Sequence, residues 1–434
     1  MEADFFTAEN LQGDNIVLAE KYLTRVQYGT SEFLNEEKKG YPILRLNEFE
    51  SYFIKEPAKY CNIISQQQYE DLKLHKGDVL ICRTNGNPDF VGRAAVIMED
   101  FDYAFASYLF RVNVSDEITP EYFVAYLQSK YGRIEIDKNS MKGNQTNFSP
   151  AKLKDIKIPC FSNDFCLEIT DKFNRAYDFQ QCSKTDYKSA EKMLEESLGI
   201  NQSSNDSVSI KTLSESFNIS GRLDAEYYQP KYEQIENQIA SNNTVYNSCR
   251  IYDKNFNPND DIIYQYIELA NVDLMGGIAT PSSIIGKELP SRARRLVKTG
   301  QIIISSIEGS LQSCALITEQ FNNAICSTGF FVLDSEKYNP ETLLVLFKSE
   351  PIQELLKKRC SGTILTAISK DDLEKMPLPE LDKGIQAQIA DKVQESFRLR
   401  KKSKKLLDIA VKAVEMAIET DEETAIAWLK EQGV

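Results

Sequence analysis

The chain has 434 residues, 42% of them apolar and 27% charged, enough apolar material for packed cores across about three domains of ordinary size. A disordered segment and a disulfide mini-protein are thereby excluded. With 51 Lys and Arg against 65 Asp and Glu the net charge is −14, which on its face argues against a protein that coats a polyanion.

The element signals follow in chain order. Met1-Glu2-Ala3-Asp4 lacks the basic-then-apolar order of a signal peptide, and no later apolar run approaches the roughly 18 residues that span a bilayer, so the expectation is a soluble, cytoplasmic protein with no membrane partner. His75, the single histidine, precedes an apolar strand and reads as a solvated turn residue; any imidazole-based zinc site or Ser-His-Asp triad would have to be built on it. Short β-branched runs at 78–82 and 94–98 predict strands joined by polar loops. Pro120 opens a helix carrying Tyr122, Phe123, Tyr126 and Leu127. Apolar residues then recur at helical spacing from Ile169 through Phe173, Ala176 and Ala190 to Leu194, predicting a helix over about 165–198. Residues 201–207 form a polar linker.

The second half runs through the same kinds of element. A strand is predicted at 302–307, a helix after Pro340 with Leu343, Leu344 and Phe347, and a long helix over about 385–418 from Ile385 and Ile389 to Val414 and Ile418. Trp428 falls in an acidic tail that reads as a short helix, its aromatic ring a candidate for subunit contact. Each long helix would be a rod of roughly 45 Å. The simplest way to bury two such stripes is against each other as an antiparallel coiled coil; the alternative is that each folds back on its own domain.

Enzyme signatures are missing. Gly286-Lys287 is followed by Glu288 and does not make a phosphate loop, no G-x-G-x-x-G follows a strand, no Asp/Asn-Pro-Pro-aromatic tetrapeptide occurs, and no compact carboxylate-plus-lysine set stands out. Nine cysteines without a C-x-x-C pair suit reduced thiols. No catalytic residue, metal site or cofactor is therefore expected in this chain. A degenerate enzyme fused to binding domains lacks any cofactor motif.

The halves are copies. Residues 74–86 align with 297–309, 104–112 with 324–332, 120–123 with 340–343, 143–149 with 362–369 and 156–159 with 376–379, while 3–6 echo 225–228. The period of about 220 residues is far too long for a solenoid repeat. The fold class is thus α+β: two repeated, strand-rich mixed domains, each followed by a long helix.

Three phrases, in this order and matched in the repeat, carry a resemblance: Lys76-Gly-Asp-Val-Leu-Ile81 with Gly92-Arg-Ala-Ala-Val96, Gly143-Asn-Gln-Thr-Asn-Phe-Ser-Pro-Ala-Lys-Leu-Lys-Asp-Ile-Lys-Ile-Pro159, and Arg222-Leu-Asp-Ala-Glu-Tyr-Tyr-Gln-Pro-Lys231. Over nearly its whole length the chain resembles the specificity subunit of a Type I restriction-modification enzyme. The resemblance implies target recognition domains at 1–163 and 210–383, spacer helices at 164–199 and 384–419, a linker at 200–209 and a tail at 420–434. It implies that each domain reads half of a bipartite site in double-stranded DNA. It also implies that the helices dock two methyltransferase subunits, that motor-nuclease subunits join them, and that S-adenosylmethionine is bound by the methyltransferase. A 45 Å rod matches about thirteen base-pair rises, enough to hold two readers roughly one helical turn apart. A protein-interaction scaffold is the alternative that the acidity favours, since the first 207 residues carry net −9 and the rest −5.

Major-groove base edges are read by guanidinium and amide groups, Arg favouring guanine and Asn or Gln adenine. Arg83, Thr84, Asn85 and Asn87 follow an apolar strand, with Arg93 close behind; an Asn-Gly turn is the plain alternative at Asn85-Gly86. The matching loop of the second copy offers Ser306, Glu308 and Ser310, and a glutamate accepts from cytosine N4, so the two copies are expected to read different half-sites. Lys142, Asn144, Gln145, Thr146 and Asn147 form the richest amide cluster, with Thr363 and Thr366 as weaker counterparts, against a hydrogen-bonded loop cap. Arg292, Arg294 and Arg295 are expected phosphate contacts, against a solvated helix or loop face. The run Arg398, Arg400, Lys401, Lys402, Lys404, Lys405 faces DNA, pairs with a partner subunit, or is a solvated flank.

Overall fold

A computed structural model describes residues 15–50, 52–141, 145–199, 208–239, 241–362 and 366–432. The polar linker 201–207, the echo at 3–6, and the candidates Lys142, Asn144 and Thr363 lie outside the described residues. The chain divides into two compact units, Met1–Gln181 with Leu399–Val434, and Cys182–Arg398.

The first unit is built on an antiparallel sheet in the order Leu23–Tyr28, Leu109–Val114, Val79–Cys82, Ala94–Val96. All four residues of Val79–Cys82 are buried, as a continuous apolar run requires of a strand covered on both faces. On one face Ile81, Phe110 and Val112 pack with Phe123 of helix Pro120–Gln128 and with Phe165 and Phe173 of the first long helix. On the other, Leu80, Cys82 and Leu109 pack with Ile43 and Phe105 of a three-stranded sheet, Ala104–Phe105, Tyr41–Leu44 and Lys59–Cys61. Thr119 caps the Pro120 helix by accepting from the Tyr122 N–H (3.2 Å). His75 is exposed in a turn, its N–H donating to Asp78 Oδ2 at 3.0 Å.

The second unit repeats this order with Arg250–Tyr252, Phe330–Asp334, Ile302–Ser305 and Cys314–Leu316. Beside it lies a sheet of Ser282–Ile285, Ile263–Ile267, Ile325–Ser327 and Ala293–Leu296. Asn339 caps helix Pro340–Lys348, and Tyr122 and Tyr338 both donate to a proline carbonyl, Pro159 at 2.7 Å and Pro379 at 2.5 Å. The sequence repeat is therefore a repeat of topology. Register refines it by one residue in one strand: Arg111 lies opposite Leu80 and Val332 opposite Ile303, so Val332 takes the place of Arg111, not of Val112.

The two long helices, Asn163–Leu198 and Lys383–Glu419, pair antiparallel. In the first unit Ser403 Oγ donates to the Ala176 carbonyl (2.7 Å); in the second, Ser183 Oγ bonds Ser396 Oγ and carbonyl (2.9 Å each) and Lys392 meets Asp186 (2.7 Å). Ala176, Ser183 and Ala190 on one helix, and Ser396, Ser403, Ala410 and Ala417 on the other, recur every seven residues and are buried. The stripes are not buried by helix pairing alone. Phe165, Ile169 and Phe173 enter the first unit's core, and Tyr187, Leu194, Ile389 and Val393 the second's, because these side chains are too large for a seam of alanine and serine. Each unit therefore contains part of both helices.

The acidic tail is helix Glu422–Glu431, with Ala425 and Leu429 in the first unit's core. Trp428 is half-buried against that core with the Lys412 ammonium 5.3 Å from its ring, so it is a packing residue rather than an exposed aromatic. All nine cysteines are free thiols. Among the described residues no helix is long and apolar enough to cross a membrane, and no three His, Cys, Asp or Glu side chains gather as a metal-binding group.

Candidate nucleic-acid interface

In the first unit the chain leaves strand Val79–Cys82 at Arg83 and at once pairs again, Thr84–Asn85 running antiparallel to Thr146–Asn147. Two candidate clusters some sixty residues apart in sequence thus become one surface. Thr84 Oγ1 donates to the Thr146 carbonyl (3.1 Å), and Phe148 N–H donates to the Arg83 carbonyl (2.8 Å). Thr146 is buried; Gln145 is exposed and Asn147 half-buried. The Asn147 main chain is paired with Met141 in both directions (2.8 and 3.0 Å), which closes the base of the loop.

The Asn85-Gly86-Asn87 bend is an Asx arrangement: Asn85 Oδ1 accepts from the Asn87 N–H (2.8 Å), and Asn87 Oδ1 accepts from the Asp89 N–H (3.0 Å) and caps the 3-10 helix Pro88–Phe90. Gly86 does not adopt a positive φ, so a primed Asn-Gly turn is not what this dipeptide makes. Arg83 sets its guanidinium over the Tyr28 ring at 4.9 Å, and Arg93 sets its own over Phe90 at 4.0 Å while its Nε donates to the Asp89 carbonyl (3.2 Å).

The second unit builds the matching surface with other chemistry. Ser306 Oγ donates to the Gly329 carbonyl (2.9 Å), Glu308 N–H to the Thr366 carbonyl (3.1 Å), and Ile368 N–H to the Ser306 carbonyl (2.8 Å). Ser306, Glu308 and Thr366 are thereby brought together. Ser310 is half-buried, its Oγ bonded to Ser305 Oγ (2.8 Å) and the Ile307 carbonyl (3.2 Å). Glu308 and Ser310 line a solvent-open hollow with Leu274, Gln353 and Lys357.

Arg292, Arg294 and Arg295 are not on this loop. Arg294 and Arg295 belong to the edge strand Ala293–Leu296, where a bulge puts Arg295 opposite Cys326, and Arg292 lies just before it. Arg292 is exposed, whereas Arg295 Nε and Nη1 are buried without a partner among the described residues. On the second long helix Arg398 pairs with Glu395 (2.6 Å at its Nε), Arg400 reaches Glu50 (3.4 Å) and the Lys402 ammonium lies 5.4 Å from the Phe179 ring; Lys401, Lys404 and Lys405 are exposed.

Three residues beside the first loop went unnoticed in the sequence. Arg133, on helix Lys130–Asn139, donates to the same Asp89 carbonyl (3.4 Å); burial, and also the charge of Arg93, pull its guanidinium below the usual range. Tyr28 and Tyr108 are about half exposed at the end of the sheet, with the Tyr108 carbonyl accepting from Arg83 N–H (2.8 Å). Strand pairing brings the two tyrosines to the loop, and the bond to the Asp89 carbonyl brings Arg133. An exposed tyrosine two residues from the buried Phe110 or the half-buried Val26 continues a strand's inward face beyond the core, which is the one signal that was available.

Fold and surfaces define a class: a duplicated α+β protein whose copies share a loop scaffold and differ in the polar groups they present on it. No protein-family profile matches the chain. By sequence it is 27% identical over 116 residues to the Type I restriction enzyme EcoKI specificity subunit of Escherichia coli K12, a match covering 26% of this chain and 25% of that protein. The match thus spans about a quarter of that curated relative. Among solved structures it is similar to the S subunit of a Type I restriction-modification system from M. genitalium (12% identity, 94% and 96% of the two chains, TM-score 0.40). It is also similar to an HsdS subunit from Thermoanaerobacter tengcongensis (13% identity, 94% and 96%, TM-score 0.31). Over that quarter the chain is similar in sequence to the specificity subunit of a Type I restriction enzyme.

Proposed function

We propose that the chain is the non-catalytic DNA-reading and assembly subunit of a Type I restriction-modification complex. Each copy reads one half of a bipartite, asymmetric site in double-stranded DNA. The paired helices dock two methyltransferase subunits, which bind S-adenosylmethionine, and motor-nuclease subunits join that core in the cytoplasm. The observation that carries this reading is the shared scaffold with unlike groups: the Phe148–Arg83 bond recurs as Ile368–Ser306, yet one loop presents arginines and amides and the other hydroxyls and a carboxylate. Direct readout needs that combination, a fixed backbone with exchangeable donors and acceptors. Arg83, Thr84, Asn85, Asn87, Arg93, Gln145, Thr146 and Asn147 form the first reading surface, to which Lys142 and Asn144 are assigned from sequence. Ser306, Glu308, Ser310, Thr366 and, from sequence, Thr363 form the second, with Arg292, Arg294 and Arg295 on phosphates.

The net charge of −14 favours a second reading, an interaction scaffold that touches no DNA. Fluorescence anisotropy of the chain reconstituted with its methyltransferase subunits on duplexes of random sequence separates the two. Binding that weakens steeply with salt supports the DNA reader. Assembly with those subunits but no DNA binding at any salt supports the scaffold.

A further inference from the structure

We infer that Arg93 is the guanine-reading residue of the first copy, and that Asn85 and Asn87 are the frame that aims it; the inference rests on the DNA-reading function proposed above. An amide reads adenine by offering its oxygen and its nitrogen together. In Asn85 and Asn87 the oxygen accepts a backbone N–H two residues on, at 2.8 and 3.0 Å, which uses one of its two lone pairs and turns the amide toward its own backbone. Those bonds build a bend that three more close: Phe90 N–H to the Asn87 carbonyl (3.1 Å), Val91 to Pro88 (3.0 Å) and Arg93 to Phe90 (3.1 Å).

Arg93 emerges from this bend braced at three places. Its main chain is tied to the central strand, since Cys82 N–H donates to the Arg93 carbonyl and Gly92 N–H to the Cys82 carbonyl, both at 2.8 Å. Its guanidinium carbon lies over the Phe90 ring, 4.0 Å from the centroid, and its Nε is held by the Asp89 carbonyl at 3.2 Å. The Asp89 carboxylate lies close enough to act on its charge, but Nη1 and Nη2 donate no hydrogen bond among the described residues, and the residue is exposed. That edge is the planar fork which matches guanine O6 and N7. A phosphate contact gains from charge at almost any orientation, whereas bidentate base reading gains from a guanidinium fixed in advance. Arg83, also stacked on an aromatic ring, has no such bond at Nε, which is buried without a partner.

The second copy cannot read guanine by this route. The bond from Cys82 to Arg93 recurs there as Ser305 N–H to the Ser313 carbonyl (3.1 Å), so serine stands where Arg93 does, and residues 305–313 contain no lysine or arginine.

The test is sequence selection by the chain reconstituted with its methyltransferase subunits, first from a randomised duplex pool and then on the selected duplex with each base pair substituted in turn. Wild type is expected to prefer G·C at one position of one half-site by roughly 5- to 100-fold. Arg93→Ala and Arg93→Gln are both expected to lose that preference while keeping every other position. Two results overturn the inference: variants that keep the full motif, or variants that bind all sequences more weakly with the motif intact and a shallower salt dependence, which would make Arg93 a phosphate contact. A variant that no longer assembles is replaced by Phe90→Leu, which removes the ring under the guanidinium and is expected to weaken selection at that same position only. Failure of wild type to select any sequence would overturn the DNA-reading function itself, and so is distinguishable from failure of the Arg93 assignment.

Discussion

Phe148 donates its backbone N–H to the carbonyl oxygen of Arg83 at 2.8 Å, while its fully buried ring lies 6.4 Å from that of Phe110. One residue thus fastens the loop at 145–147 both to the core and to the end of the central strand. Phe148→Ala is expected to cost about 3–5 kcal/mol in urea unfolding through lost packing and the cavity left behind. Thr84→Val, which removes only the side-chain bond to the Thr146 carbonyl, is expected to cost about 1 kcal/mol. Equal costs would show that the ring does not anchor the loop.

Gly92 adopts φ +74°, and a Cβ there would stand 2.6 Å from Ile136 Cγ2, whereas a Cβ on Gly86 would meet nothing within 4 Å. Gly92→Ala is therefore expected to lose about 1–3 kcal/mol, combining backbone strain with a clash against the helix behind the loop. Gly86→Ala is expected to stay within about 0.5 kcal/mol of wild type. Thermal unfolding of the two variants side by side checks the contrast, and the reverse order would contradict the backbone path described for Asn87–Arg93.

The buried pair Arg111–Asp78 (2.9 Å, side chains 1% and 5% exposed) has a natural counterpart without charge, because Val332 and Gln301 take those places in the second copy. Gln301 Oε1 accepts from Lys298 N–H at 2.8 Å as Asp78 Oδ2 accepts from His75 N–H. Arg111→Val alone leaves a buried carboxylate and is expected to cost about 3–5 kcal/mol. Adding Asp78→Gln is expected to recover most of that loss in urea unfolding. A double variant no more stable than the single one would mean that the pair is irreplaceable in its own copy.

The helix seam rests on small side chains. Ser183 is fully buried with its Oγ 2.9 Å from Ser396. Ser183→Leu is expected to lose about 1–3 kcal/mol by overpacking, and Ser183→Ala about 0.5–1.5 kcal/mol by losing the hydrogen bond. Thermal unfolding in which alanine is the worse of the two would show that the hydroxyl, not the close approach, governs the seam.

Much of the fold was legible because it is written in long or repeated signals. Ile302–Ser305 and Val79–Cys82 are unbroken apolar runs, Pro120 and Pro340 mark helix starts, and two segments of more than thirty residues keep a helical period. The seam was not legible, because Ala176, Ser183 and Ala190 carry almost no hydropathy signal and show only in their sevenfold spacing. The candidate surface was legible in composition but not in assembly. Nothing local in Thr84 and Thr146 says that they pair, and nothing in Asn85 says that its oxygen accepts a turn N–H; both follow from contacts the chain makes only when folded. Arg295 shows the limit from the other side, since a run of arginines reads as exposed until a strand bulge buries part of one.

Under the proposed function, two copies of one scaffold read two different half-sites. Sequencing the methylated DNA of cells that carry this chain with its methyltransferase subunits tests it most directly. The expected result is a bipartite motif of two unlike halves separated by a fixed spacer, with one half altered when residues 83–93 are exchanged and the other when residues 306–310 are exchanged. A perfectly palindromic motif, or methylation independent of sequence, would contradict it.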